Sequence, residues 1–236
     1  LGAGVVGSAV ARTLSEKKGD LQAKVGRPIS LKGILVRDLA KRRLFEAPSG
    51  LFTRDAEEVI NDPEVDIIVE VMGGKHPALD YIVKSISLGK HVVTANKEVM
   101  ARHGPEILTL AAENGVRVLF EASVAAGTPV IAPLTRDLVA NNVISIRGIV
   151  NGTTNYILTK MAQEGVDFDE ALRQAKELGY AEADHASDVE GVDAAWKLAI
   201  LSTLAFGTSV KDTDVYCEGI GRLAARDFVY AGELGY

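Results

Sequence analysis

The sequence predicts an α/β protein: a doubly wound parallel sheet over residues 1–128, followed by an α+β domain over 129–236. Three observations carry that prediction. The chain opens on LGAGVVG, which sets Gly2, Gly4 and Gly7 in G-x-G-x-x-G spacing. Short β-branched runs (VDIIVEVM, HVVT, VRVLF) then alternate with helix-like segments at the period of βαβ units. After Gly127-Thr128-Pro129 that alternation stops and longer helical patterns take over.

The elements follow in order. VVGSAVARTLSEKK reads as the helix after the glycine turn, with small residues first, as close packing on a sheet requires. The glycine spacing is a weak signal until strand and helix flank it. Only Leu1 precedes it, so the first strand is expected to lie outside these residues. Residues 29–38, ISLKGILVRD, read as the second strand. In a dinucleotide-binding sheet the end of this strand faces the adenosine ribose; an acid there accepts from the 2′-hydroxyl, and an Arg accommodates a 2′-phosphate. Arg37, with Lys41, Arg42 and Arg43 following, leans toward NADP, while Asp38 leaves NAD open. A solvated basic turn is the alternative.

DAEEVIND predicts a short helix, and VDIIVEVMGG a buried parallel strand ending on Gly73 and Gly74, where backbone can approach a ligand. His76-Pro77 opens the next helix, with Pro77 in its first turn. HVVTANK ends on Thr94, Asn96 and Lys97, and VRVLFEAS on Glu121. Arg37, Gly73, Lys97 and Glu121 therefore fall on one rim, the carboxyl ends of a Rossmann-type sheet, where such folds bind ligands.

In the second half, IAPLTRDLVANN reads as a helix and ISIRGIVNG as a strand. TTNYILTKMAQEG is a helix with Thr153 or Thr154 as its cap. DFDEALRQAKELG is an amphipathic helix closed by Gly179. The next stretch packs Glu182, Asp184, Asp188, Glu190 and Asp193 ahead of Lys197. Asp193 and Lys197 are four apart on one helix face. A surface ion pair at a helix start is the bland alternative. Against it, Ala194, Ala195, Trp196, Leu198, Ala199, Ile200 and Leu201 leave Lys197 no polar face to share. A lysine entering an apolar helix is costly unless it is paired or used.

Composition excludes other classes. A net charge of −6 without a basic block argues against a nucleic-acid surface. No apolar run reaches the roughly 18 residues that span a bilayer. The lone Cys217 rules out an internal disulfide and fits a reducing, cytoplasmic compartment.

Taken in order, the glycine motif, VEVMGG, TANKE, FEASVAAGTP, NGTTNYIL, GYAEAD and DVEGVDAAWKLAIL resemble the homoserine dehydrogenases over essentially the whole chain. The resemblance implies NAD(P)-dependent interconversion of L-homoserine and L-aspartate 4-semialdehyde by hydride transfer, in threonine, methionine and isoleucine biosynthesis. It makes Lys197 the proton carrier, with Lys97 beside substrate and nicotinamide. Glu182, Asp188, Asp193, Gly179 and Thr153 would hold the amino acid. Gly2, Gly4, Val6, Gly7, Arg37, Gly73, Gly74, Thr94, Lys97 and Gly179 would hold NADP, or NAD. Glu121 and the carbonyls of Val124, Ala126 and Thr128 would bind a monovalent cation, sodium or potassium. A homodimer or larger homo-oligomer, formed through the second domain, is expected. So is a chain cut at both ends. One departure is that Ala183 and His185 stand where the family often has prolines. Two alternatives stay open: a dehydrogenase for another amino-acid semialdehyde, and a catalytically silent NADP-binding or dimerisation fragment.

Overall fold

The computed structural model describes every residue except 44, 46–49, 182 and 183. The chain divides into two compact units, Leu1–Pro129 and Val130–Tyr236.

The first unit is built from α1 (Val5–Glu16), α2 (Lys18–Val25), β1 (Ile34–Leu35), β2 (Phe52–Thr53), α3 (Ala56–Ile60), β3 (Ile67–Glu70), α4 (Ala78–Ser87), β4 (His91–Thr94), α5 (Lys97–Glu113) and β5 (Val118–Leu119). Every strand pair among the described residues is parallel: β1 with β2, β3 with β4, and β4 with β5. Leu1 and Gly2 join the two groups. The Leu1 nitrogen donates to Val69 O at 2.5 Å, Val71 N–H to Leu1 O at 3.0 Å, and Gly2 N–H to Leu35 O at 3.0 Å. The spatial order is thus β2, β1, Leu1–Gly2, β3, β4, β5, the α/β arrangement expected. Ile60, Ile68, Ile82 and Ile86 are all but sealed from solvent among the strands and helices, each contributing about 1.5–3 kcal/mol by burial.

Three expectations need correction here. The strand expected over 29–38 pairs only from Ile34 to Val36, because a ladder extends no further than its flanking partners, here Leu51–Thr53 and Leu1–Gly2. Residues 19–25, to which the sequence assigns no element, are helical as part of Lys18–Val25, which stops at Gly26 with a left-handed φ of 80°. Pro77 sits at the N-cap of α4 rather than inside its first turn.

The second unit holds α6 (Gly152–Glu164), α7 (Phe168–Glu177), α8 (Ala186–Val189), α9 (Val192–Phe206) and α10 (Ala225–Glu233). Ile157, Met161, Ala171 and Ala175 form the buried seam between α6 and α7. The expected helix after Val130 is a single widened turn, Pro133–Asp137. There Leu138 N–H reaches back five residues to Pro133 O at 2.9 Å, while the Thr135 hydroxyl takes the Ile131 carbonyl at 2.8 Å. The expected strand ISIRGIVNG joins no ladder among the described residues; its Ile144 is 92% exposed. β-propensity without a pairing partner leaves open chain.

Candidate active site

The glycine turn works by what it lacks. A β-carbon on Gly7 would stand 2.1 Å from the Gly2 carbonyl oxygen, so α1 and the turn can touch only with glycine there. Gly2 itself has a φ of 96°. At Gly4, the N-cap of α1, a β-carbon would meet no protein atom within 4 Å. An open space at the N-terminus of a twelve-residue helix offers unsatisfied N–H groups and a positive dipole end to a phosphate. Val6 lies exposed on that first turn.

The next part of the rim hangs on a wholly buried carboxylate, Glu70, the last residue of β3. Its Oε1 accepts from Met72 N–H at 2.8 Å and its Oε2 from the Thr94 hydroxyl at 2.6 Å. Thr94 Oγ1 in turn accepts from Asn96 N–H at 3.0 Å. Asn96 donates its amide to Gly74 O at 2.9 Å, and its Oδ1 accepts from Val99 N–H at 3.1 Å, capping α5. The Met72–Gly74 loop and the turn leading into Lys97 are therefore laced together from beneath. Space in front of Gly73 and Gly74 is clear of protein.

At the end of β1, Arg37 is exposed. Asp38 bends into its own turn: its Oδ1 accepts from Ala40 N–H at 2.8 Å, and Arg43 donates to its carbonyl. Past β5, Glu121–Ser123 forms a short 3₁₀ turn. Ala125 and Ala126 follow with φ of 57° and 47°, and Thr128 N–H closes back on Ala125 O at 2.9 Å.

The second unit gathers the acid–lysine set. Gly191, with φ of 81°, starts α9; the fourth position on from Asp193 is Lys197. The Lys197 ammonium donates to Asp193 Oδ2 and to Val150 O, both at 2.6 Å. The Asp193 side chain is 1% exposed and that of Lys197 15%, so this is no solvated surface pair. Asn151 Nδ2 donates to Asp188 Oδ1 at 2.7 Å and to Asp193 Oδ2 at 2.8 Å. Its Oδ1 accepts from Thr154 N–H at 2.8 Å and so caps α6. Asn151, rather than Thr153 or Thr154, is the cap, because it precedes the helix with an extended φ of −132°. The Thr153 hydroxyl donates instead to Tyr180 O at 2.7 Å, with Asp188 Oδ2 at 3.3 Å. That carbonyl is presented by the turn ending α7, where Gly179 N–H bonds Lys176 O at 3.1 Å and Tyr180 N–H bonds Ala175 O at 2.8 Å. The reversal needs the left-handed φ of 77° at Gly179.

Comparison with known proteins gives the family. Residues 2–121 match the family model "Homoserine dehydrogenase, NAD binding domain", and 129–236 match "Homoserine dehydrogenase". The chain belongs to the homoserine dehydrogenase family. A homoserine dehydrogenase from Synechocystis is 49% identical over all of this chain and 54% of its own length. The crystal structure of one from Thiobacillus denitrificans superposes with a TM-score of 0.93 at 44% identity, over 100% of this chain and 54% of that one. A hyperthermophilic archaeal homoserine dehydrogenase in complex with NADPH gives a TM-score of 0.72 at 27% identity, over 95% of this chain and 74% of that one. The chain thus spans about half the length of the curated relatives it matches. Its first unit carries a nicotinamide-dinucleotide-binding domain, and no helix among the described residues is long and apolar enough to cross a membrane.

Among the residues expected to act, Asp188, Asp193, Lys197 and Thr153 come together in one bonded group, with Gly179 shaping the turn beside it. Gly2, Gly4, Gly7, Gly73, Gly74 and Thr94 line the sheet's carboxyl rim, and Lys97 opens α5 there. Glu182 lies outside the described residues. Sequence reasoning passed over Glu70 and gave Asn96 and Asn151 no role. Glu70 was hidden inside an apolar strand run; the two asparagines each directly precede a helix, which is the one signal that could have found them.

Proposed function

We propose that this chain carries the catalytic centre of an NAD(P)-dependent oxidoreductase interconverting L-homoserine and L-aspartate 4-semialdehyde. The observation that carries the reading is Lys197, held by Asp193 and the Val150 carbonyl inside an apolar helix. Those two bonds leave one of its three N–H groups for a substrate oxygen. In the reducing direction that N–H donates to the aldehyde oxygen and passes it a proton; in the oxidising direction the amine receives the hydroxyl proton. The nicotinamide supplies the hydride or accepts it. Asp188, Asp193 and Glu182 suit the substrate's ammonium, as charge-assisted acceptors. Lys97, at the start of α5, suits the nicotinamide.

Gly4 fits a dinucleotide pyrophosphate because the space before it is open. NADP is favoured over NAD, since Arg37 is exposed while Asp38 spends an oxygen on Ala40 N–H. The Glu121–Thr128 loop suits a monovalent cation: one carboxylate with the carbonyls of Val124, Ala126 and Thr128 is an all-oxygen set of single charge, in a segment bent by two left-handed alanines. Activity indifferent to removal of sodium and potassium would discard the ion. A homodimer through the second unit is supported by the exposed Ile144 and Ile149, and a monomeric sedimentation profile would remove it. The free, exposed Cys217 thiol suits a reducing cytoplasm.

The direct test is NADP-linked oxidation of L-homoserine by the natural full-length protein, with other hydroxy-amino acids as controls. A higher kcat/KM for a control, or cofactor binding without turnover, overturns the reading.

A further inference from the structure

We infer that Asn151 is a positioning residue for the proton-transfer group, a role that rests on the function proposed above and goes beyond capping α6. Its amide is spent completely. Oδ1 takes Thr154 N–H at 2.8 Å and Thr154 Oγ1 at 3.1 Å; Nδ2 gives one N–H to Asp188 at 2.7 Å and one to Asp193 at 2.8 Å. The reversed amide would face oxygen to two carboxylates and NH₂ to a backbone N–H, so one orientation alone satisfies the site. Asn151 is itself only 8% exposed, where misplaced polar groups are costly.

The consequence reaches Lys197. Asp193 Oδ2 is shared: it accepts from Asn151 and from the ammonium. The preceding residue, Val150, supplies the ammonium's second acceptor. Two adjacent residues at the start of α6 therefore fix both partners of Lys197, one through a carbonyl and one through Asp193. The NH₂ group also sits between Asp188 and Asp193, offsetting the repulsion of two carboxylates that would otherwise turn apart. Without it, Asp193 loses one of the bonds that orient it, and the aim of the ammonium loosens.

Capping and positioning are separable by substitution, because Asp and Ser cap helices about as well as Asn. Asn151→Asp keeps the cap, removes both donors and sets a third carboxylate beside the other two. Asn151→Ser keeps the cap and removes both N–H donors without adding charge, and its one O–H on a shorter side chain cannot serve both carboxylates. In the natural full-length protein Asn151→Ser should lose some melting temperature, because two carboxylates lose their donor, and Asn151→Asp more; both should keep their KM for NADP unchanged. Their kcat should fall about 10- to 100-fold, as expected when a reacting group is displaced by about 1 Å. Asn151→Asp should be the worse of the two. Wild-type kcat in Asn151→Ser overturns the inference, and remains decisive if Asn151→Asp fails to fold. Lys197→Ala, assayed alongside, keeps the two ideas apart. An active Lys197→Ala sinks the functional reading itself; an inactive one beside a fully active Asn151→Ser sinks only the role of Asn151.

Discussion

Alanine at Gly4 and at Gly7 should separate ligand binding from folding, although the two glycines are three residues apart in one motif. At Gly7 the new β-carbon would lie 2.1 Å from Gly2 O and 3.1 Å from Val71 Cγ2. A carbon–oxygen contact needs roughly 3.3 Å, so the turn must retreat from α1 by about an ångström. Overpacking of that kind costs about 1–3 kcal/mol, which in a protein of this size lowers Tm by about 2–12 °C. At Gly4 nothing of the protein lies within 4 Å, and φ of −76° suits alanine. The loss of stability there stays under about 1 kcal/mol, the scale of an N-cap preference. Yet the methyl enters the space proposed for the pyrophosphate, so the Kd for NADPH should rise at least about tenfold, or 1.4 kcal/mol. Thermal unfolding and NADPH fluorescence titration, run on both variants, read the two effects. Normal NADPH binding by Gly4→Ala would show that the cofactor phosphates do not sit at this helix start.

Two further outcomes follow from the rim. Arg37→Asp should raise KM for NADP far more than KM for NAD, since a charge-assisted contact is worth about 1.5–3 kcal/mol; equal changes in steady-state kinetics would take Arg37 out of the site. Thr94→Val keeps the shape but withdraws the hydroxyl from buried Glu70 and from Asn96 N–H, so it should cost about 1–3 kcal/mol in denaturant unfolding. A neutral result would mean that the Glu70 link does not hold the two loops.

Much of this was legible in the chain itself. The glycine spacing, the β-branched runs of β3 and β4, and the alternation of strand and helix all arise from local sequence pattern, and the sheet follows from them. Asp193 and Lys197 could be paired on paper because helix geometry alone brings i and i+4 together. What sequence could not supply is whatever depends on a distant partner. Strand lengths were overread at ISLKGILVRD and ISIRGIVNG, since apolar pattern says which residues can pair but not how much ladder stands beside them. The bonds of Asn151 to Asp188 and Asp193 span 37 and 42 residues, beyond any local rule. Glu70 is a carboxylate sealed at a strand end by a hydroxyl 24 residues on, and read by itself it interrupts an apolar run without explanation. The cap of α6 was missed by a shorter step: three capping-type residues, Asn151, Thr153 and Thr154, flank Gly152, and only the backbone angles choose among them.

The central claim is that Lys197 carries the proton, and the kcat of Lys197→Ala in the natural full-length protein tests it most directly. Loss of a general acid–base costs a factor of about 10²–10⁴, so turnover of L-homoserine should fall by that much while the Kd for NADPH stays near wild type. A drop smaller than about tenfold, or Lys97→Ala alone abolishing turnover while Lys197→Ala stays active, would contradict it.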